Sequence, residues 1–143
     1  MNKKEADELA RACAESIYAR DIAAQSLGIR IHEVKSGYAC LKMTVRAEML
    51  NGHDICHGGF LFTLADTAFA YACNSYNKVS VAQNCEIDFI RTGAKDDEVT
   101  AVAEERRRGS KTGIYDVSLS RHDGELLALF RGRSYQIGGE VIQ

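Results

Sequence analysis

Proline is absent from this chain of 143 residues. Its turns must rest on 12 glycines and on Asn, Asp and Ser. Long apolar runs are missing too. No run reaches the ~18 residues of a transmembrane helix, so no membrane partner is expected. The opening residues, MNKKEADE, hold no apolar stretch, and no secretory signal is expected. Neither sign of charge dominates, with 18 basic against 20 acidic residues and a net charge of -2. Without an overall basic field, nucleic acid is not an expected partner. There is no C-x-x-C pair. The five cysteines, Cys13, Cys40, Cys56, Cys73 and Cys85, are odd in number and widely spaced. A disulfide framework is therefore not expected, and the chain reads as cytoplasmic with reduced thiols.

What is present is ordinary for a globular protein: 45% hydrophobic and 27% charged residues. At ~100–200 residues per domain, residues 1–143 make one domain, which buries ~70% of its unfolded surface. No internal repeat or low-complexity tract interrupts it.

The N-terminal segment, about 1–27, reads as helical. Ala6, Leu9, Ala10, Cys13 and Ile17 recur at helical spacing over 3–18. A second short helix near 21–27 stops at Gly28. A strand over 29–35 and a turn at Ser36-Gly37 follow. Ala39, Leu41, Met43 and Val45 then alternate with Cys40, Lys42, Thr44 and Arg46, the period of a half-buried strand. Residues 49–57 are turn-rich around Asn51-Gly52. From Gly59 to about Ser75 the chain is apolar nearly all round, which predicts a buried helix. Strand-like runs follow at 79–90, 98–108, 113–121 and 125–136, with turns at Thr92-Gly93, Gly109-Ser110 and Asp123-Gly124. Consecutive strands imply an antiparallel sheet and the α+β class. An all-apolar central helix requires a curved sheet wrapped around it.

Asp66 lies inside that helix, past the first turn, on a stripe with Phe62, Phe69 and Cys73. A carboxylate there is costly unless paired or used, and burial would raise its pKa. It is either a base or nucleophile, or a structural group bonding a nearby backbone amide. His57-Gly58-Gly59 opens the helix, where free N–H groups hold an anion or a developing oxyanion. An ordinary loop-to-helix glycine pair is the plainer alternative. Gly58 and Asp66 are eight residues apart, ~12 Å along a helix, too far to share one carbonyl. If both act, one must come from a second copy of the chain.

Other clusters carry less. His53, Asp54, Cys56 and His57 lack the spacing of a zinc site, so no metal is expected. Arg106 to Gly113 does not match a phosphate-binding P-loop. It is either a phosphate grip at a strand turn or a solvated hairpin end, and Arg131 and Arg133 could join the same basic patch. Glu86 and Asp88, alternating with Cys85, Ile87 and Phe89, mark a polar sheet face.

The segment NGHDICHGGFLFTLADTAFAYACNS, residues 51–75, resembles the PaaI-type phenylacetyl-CoA and hydroxyphenylacetyl-CoA thioesterases of the hotdog superfamily. So do EIDFIR at 86–91, GSKTGIYDVSLS at 109–120 and LLALFRGRSYQIGG at 126–139. The resemblance spans roughly residues 10–139. It implies a hotdog fold, an antiparallel sheet wrapped around a long central helix. It also implies a homo-oligomer, a dimer with shared active sites that pairs into a tetramer.

The activity implied is hydrolysis of an aromatic or medium-chain acyl-CoA to free acid and CoA in phenylacetate catabolism. No cofactor is implied, since coenzyme A is part of the substrate and product. Asp66 matches the catalytic carboxylate, as base or nucleophile. Gly58 matches the glycine whose N–H polarises the carbonyl. Asn51 matches the loop asparagine that orients water or carbonyl, and His57 the histidine that orients the loop or leaving group. Gly59 and Thr67 fall beside the substrate. Arg108, Lys111, Thr112 and Gly113 fall where relatives hold the CoA nucleotide and phosphates. Thr92 stands where the family commonly has proline, which implies a changed loop where substrate enters.

Two rival readings stand beside this one. One is a hotdog hydratase or dehydratase, which pairs a histidine with a carboxylate on the central helix. The other is a non-catalytic acyl-CoA-binding sensor, although residues 1–28 are too short for the DNA-binding extension such regulators carry.

Overall fold

The first helix, α1 (Lys3–Arg20), starts with a reciprocal cap. The Asn2 side chain accepts from the Glu5 N–H, and the Glu5 carboxylate accepts from the Asn2 N–H. Asp21 ends this helix and starts the next, α2 (Ile22–Ser26), by accepting from the Ala24 N–H. Gly28, at φ +70°, then turns the chain into β1 (Arg30–Lys35), and β2 (Tyr38–Thr44) follows. A computed structural model describes residues 1–143.

A short 3-10 turn, Ala47–Met49, precedes the turn-rich segment, which leads into the central helix α3 (Gly58–Cys73). Four strands complete the chain: β3 (Ser80–Phe89), β4 (Glu98–Arg108), β5 (Thr112–Arg121) and β6 (Leu126–Gln136). They join β1 and β2 in one antiparallel sheet of order β1-β2-β4-β5-β6-β3. No helix is long and apolar enough to cross a membrane, and all five cysteines are free.

The alternation read in β2 places Ala39, Leu41 and Met43 wholly inside, yet Cys40 on the opposite face is buried as well. The Asp123-Gly124 turn is the β5–β6 hairpin, with Gly124 at φ +90°. The Thr92-Gly93 turn is not a hairpin. β3 pairs with β6 at the far edge of the sheet, and the chain must cross back to β4. Along that crossing the Gly93 carbonyl accepts from the Cys56 N–H at 2.8 Å.

The sheet curls around α3, whose Leu64, Ala65, Ala68, Phe69, Tyr71 and Ala72 are almost fully buried. Phe69 packs against Tyr115 and Phe130, with ring centroids 5.7 and 5.9 Å away. Its ring lies on the backbone of Gly132 in β6, where any Cβ would stand 2.8 Å from it. Burial of one such ring stabilises by about 1.5–3 kcal/mol.

Arg107 and Arg133 flank Ile114 in the sheet register, two residues from Arg131, so part of the expected basic patch is present. Asp116 on the outer face of the sheet binds both Arg106, at 2.9 Å, and Arg131, at 2.6 Å. A β-bulge between Glu105 and Arg107 sends Arg108 elsewhere, its guanidinium 3.6 Å from the centre of the Tyr76 ring. Glu86 and Asp88 do sit on the polar outer face, in a cleft of about 390 Å³ shared with that Arg-Asp-Arg cluster.

Candidate active site

The loop before α3 is tied down strand by strand. Leu50 and Cys56 form an isolated bridge, and the His57 N–H donates to the Met49 carbonyl at 2.8 Å. Asn51 Oδ1 accepts from the N–H groups of His53, at 2.9 Å, and Ile55, at 3.3 Å. The asparagine carbonyl thus shapes the loop, and its amide NH2 has no partner in the protomer.

His57 caps α3. Its Nδ1 accepts from the Gly59 N–H at 3.2 Å. With Nδ1 accepting, Nε2 is the nitrogen left to donate. Gly59's donor is consumed by this cap, whereas the Gly58 N–H meets no acceptor in the protomer. A free donor at a helix start, reinforced by the helix dipole, is the arrangement that receives a carbonyl oxygen or oxyanion.

Asp66 is half-buried, two turns further along. Within the protomer no backbone amide and no ammonium or guanidinium group binds it. Its one hydrogen-bonding contact is the Cys85 thiol of β3, with Sγ 4.0 Å from Oδ1. Burial raises the Asp66 pKa above the usual carboxylate value, and the negative charge of Asp21 adds to the rise. Asp21 is held in place by the Tyr71 hydroxyl, which donates to it at 3.0 Å. The Cys85 thiol is pushed up to about 11 by its own burial and by Asp66, so it stays protonated at neutral pH.

Helix and strand run alongside each other as a ladder. Gly58 touches Phe89, whose Cζ lies 2.9 Å from where a Gly58 Cβ would stand. Asp66 touches Cys85. Steps of four residues on α3 rise ~6 Å, and steps of two on β3 rise ~6.7 Å. Phe62 therefore falls opposite Ile87 on the middle rung, and both side chains pack on the core. Sequence reasoning does not single out Cys85 and Phe89 as site residues, although their alternation with Glu86 and Asp88 puts them on the inner face.

The remaining residues lie apart. Thr67 Oγ1 donates to the Thr63 carbonyl at 2.7 Å, within the helix. Arg108, Lys111, Thr112 and Gly113 do gather, at the β4–β5 hairpin. Thr112 pairs with Tyr135, beside the start of β3, whereas Gly58 touches its end. A strand of 10 residues separates them by about 30 Å, so one protomer does not bring them to Gly58. No three of the His, Cys, Asp and Glu side chains converge as metal ligands.

Residues 53–128, which span the capped glycines, Asp66 and most of the sheet, match the model of the thioesterase superfamily. The chain belongs to that superfamily. This thioesterase is 50% identical over 128 residues to the acyl-coenzyme A thioesterase PaaI of Escherichia coli K12, covering 90% of this chain and 91% of that one. The solved structure of the E. coli PaaI protein from the phenylacetic acid degradation operon superposes with a TM-score of 0.93 at 48% identity, covering 94% and 97% of the two chains. A mutant of the phenylacetic acid degradation protein PaaI from Thermus thermophilus superposes with a TM-score of 0.77 at 35% identity, covering 80% and 97%. The thioesterase has the hotdog fold, with α3 as the wrapped helix.

Proposed function

We propose that this thioesterase hydrolyses phenylacetyl-CoA, hydroxyphenylacetyl-CoA or similar aromatic and medium-chain acyl-CoA esters to free acid and CoA, in phenylacetate catabolism. The relationship to the E. coli enzyme supports the substrate class. The observation that carries the chemistry is the combination of a free Gly58 N–H with an Asp66 carboxylate whose one partner is a thiol and whose pKa burial raises.

The ~12 Å between them along α3 is bridged by a second copy. β3 is a ten-residue edge strand with one row of backbone groups unpaired, and β3-to-β3 antiparallel pairing of two copies satisfies both. Two antiparallel α3 helices then set Gly58 of each copy against Asp66 of the other. The same twofold brings the hairpin with Arg108, Lys111, Thr112 and Gly113 to the opposite copy's Gly58, where it would hold the CoA phosphates. The dimer pairs further into a tetramer in this reading.

In the reaction the thioester carbonyl oxygen accepts from the Gly58 N–H. Ionised Asp66 takes a proton from water, whose oxygen attacks the carbonyl carbon. The tetrahedral oxyanion, held by the same N–H, collapses, the C–S bond breaks, and CoA leaves as its thiolate, which takes the proton held by Asp66 and so restores the base. Direct attack by Asp66 through an anhydride uses the same groups; the water route is the simpler. The Asn51 amide supplies a donor for the water, His57 fixes Gly59 and the loop, and Thr67 braces the helix beside Asp66. No cofactor enters, because the helix end polarises the carbonyl. The cytoplasmic placement in this reading is supported by the five free thiols.

The test is thiol release from acetyl, hexanoyl, phenylacetyl, hydroxyphenylacetyl and benzoyl CoA. Strongest release from the arylacetyl esters is expected. Release only from aliphatic esters keeps the mechanism and overturns the place in phenylacetate catabolism. Saturable binding without release overturns the reaction.

A further inference from the structure

We infer that Phe89 is the specificity-determining residue of the acyl site, an aromatic wall that receives the ring of an arylacetyl ester beside the Gly58 N–H. The inference rests on the proposed function and deepens it. Three observations carry it.

The first is contact. The outer end of the Phe89 ring, its Cζ, Cε1 and Cε2, abuts Gly58 so closely that a Cβ there would stand 2.9 to 3.4 Å from those atoms. Gly58 and Phe89 are thus matched, since an aromatic ring takes the space that any other side chain at 58 would fill.

The second is exposure. With its tip seated on the glycine, Phe89 is still 54% exposed at the end of an edge strand. That area is exposed in the single copy, where an acyl group seated beside the Gly58 N–H can cover it.

The third is position on the ladder between α3 and β3. The Phe89 rung carries the free N–H, the Cys85 rung carries Asp66, and Phe62 and Ile87 line the step between as an apolar surface. A carbonyl oxygen sits ~2.9 Å from the N–H that binds it. The aryl group of an arylacetyl ester begins two bonds from that carbonyl carbon, within reach of Phe89. Aromatic rings meet in offset or edge arrangements that add to simple burial, and an alkyl chain gains only the burial.

The test compares kcat/KM for phenylacetyl-CoA with kcat/KM for hexanoyl-CoA in the wild type, Phe89→Leu and Phe89→Tyr. Leucine keeps an apolar side chain and removes the ring. The phenylacetyl-to-hexanoyl ratio is expected to fall about three- to tenfold in Phe89→Leu and to be kept in Phe89→Tyr. A ratio unchanged in Phe89→Leu, even with both rates reduced together, overturns the inference, as does an equal fall in Phe89→Tyr. Calorimetric binding of the uncleavable thioethers S-phenethyl-CoA and S-hexyl-CoA reads the same ratio without turnover. A wild type that binds both thioethers but cleaves no ester sinks the hydrolytic reading, and the binding ratio still decides the role of Phe89.

Discussion

Cys85 Sγ lies 4.0 Å from Asp66 Oδ1 and is the only donor the protomer offers that carboxylate. A half-buried acid with no N–H partner is poorly placed for stability and well placed for proton transfer. Both consequences are measurable.

Asp66→Asn should lower kcat for thioester hydrolysis about 100-fold or more, read by thiol release. The same change should leave stability equal or higher at neutral pH. Because burial raises the Asp66 pKa, the folded protein holds this proton more tightly than the unfolded chain. Its contribution is fully present below the ordinary carboxylate value and is lost as pH rises through the raised one. Thermal melts of both proteins at pH 7 check the sign, and a clearly less stable Asp66→Asn would contradict it.

Asp21→Asn should shift the acid limb of the kcat/KM profile to lower pH. The Asp21 charge helps to raise the Asp66 pKa, and its removal lets Asp66 ionise earlier. Asparagine still caps the Ala24 N–H, so α2 should persist. An acid limb that stays in place would show that Asp21 does not act on the carboxylate.

His57→Ala removes the acceptor for the Gly59 N–H and should cost about 1 kcal/mol of stability, seen in urea unfolding. The freed Gly59 donor would then compete with Gly58 for the carbonyl. A larger fall in kcat than in substrate affinity is expected.

Gly132→Ala should destabilise the protein by about 1–3 kcal/mol, since its methyl group would enter the buried Phe69 ring. Phe69→Leu in the same chain should recover part of that loss, measured as a double-mutant cycle in denaturant.

Much of the fold was legible. The apolar run of α3, the period of β2 and the Asp123-Gly124 hairpin depend on local spacing, and each lies within a residue or two of its expected place. Strand order was not legible, because β3 pairs with β6 across 39 to 56 residues and no local signal encodes that partner. Which arginines pair with an acid was not legible for a related reason. Arg106 and Arg131 find Asp116 only through the sheet register and the bulge at Glu105. At the site, Asp66 stood out as a carboxylate in an apolar helix and Gly58 as a glycine at its start. Phe89 and Cys85 look like ordinary strand residues until the helix is laid alongside.

The central claim is that one site is built from Gly58 of one copy and Asp66 of another. It is tested most directly by mixing two inactive variants. Gly58→Pro, made together with Phe89→Ala so that the proline ring meets no aromatic ring, deletes the N–H at the first position of the helix, and Asp66→Asn, in a copy that keeps its own Gly58 and Phe89, deletes the base. Each homodimer should be nearly inactive, with circular dichroism confirming that it folds. Unfolded together and refolded at equal amounts, they should recover about a quarter of wild-type activity, because half the dimers are mixed and each carries one intact site. A mixture no more active than its components would contradict the shared site.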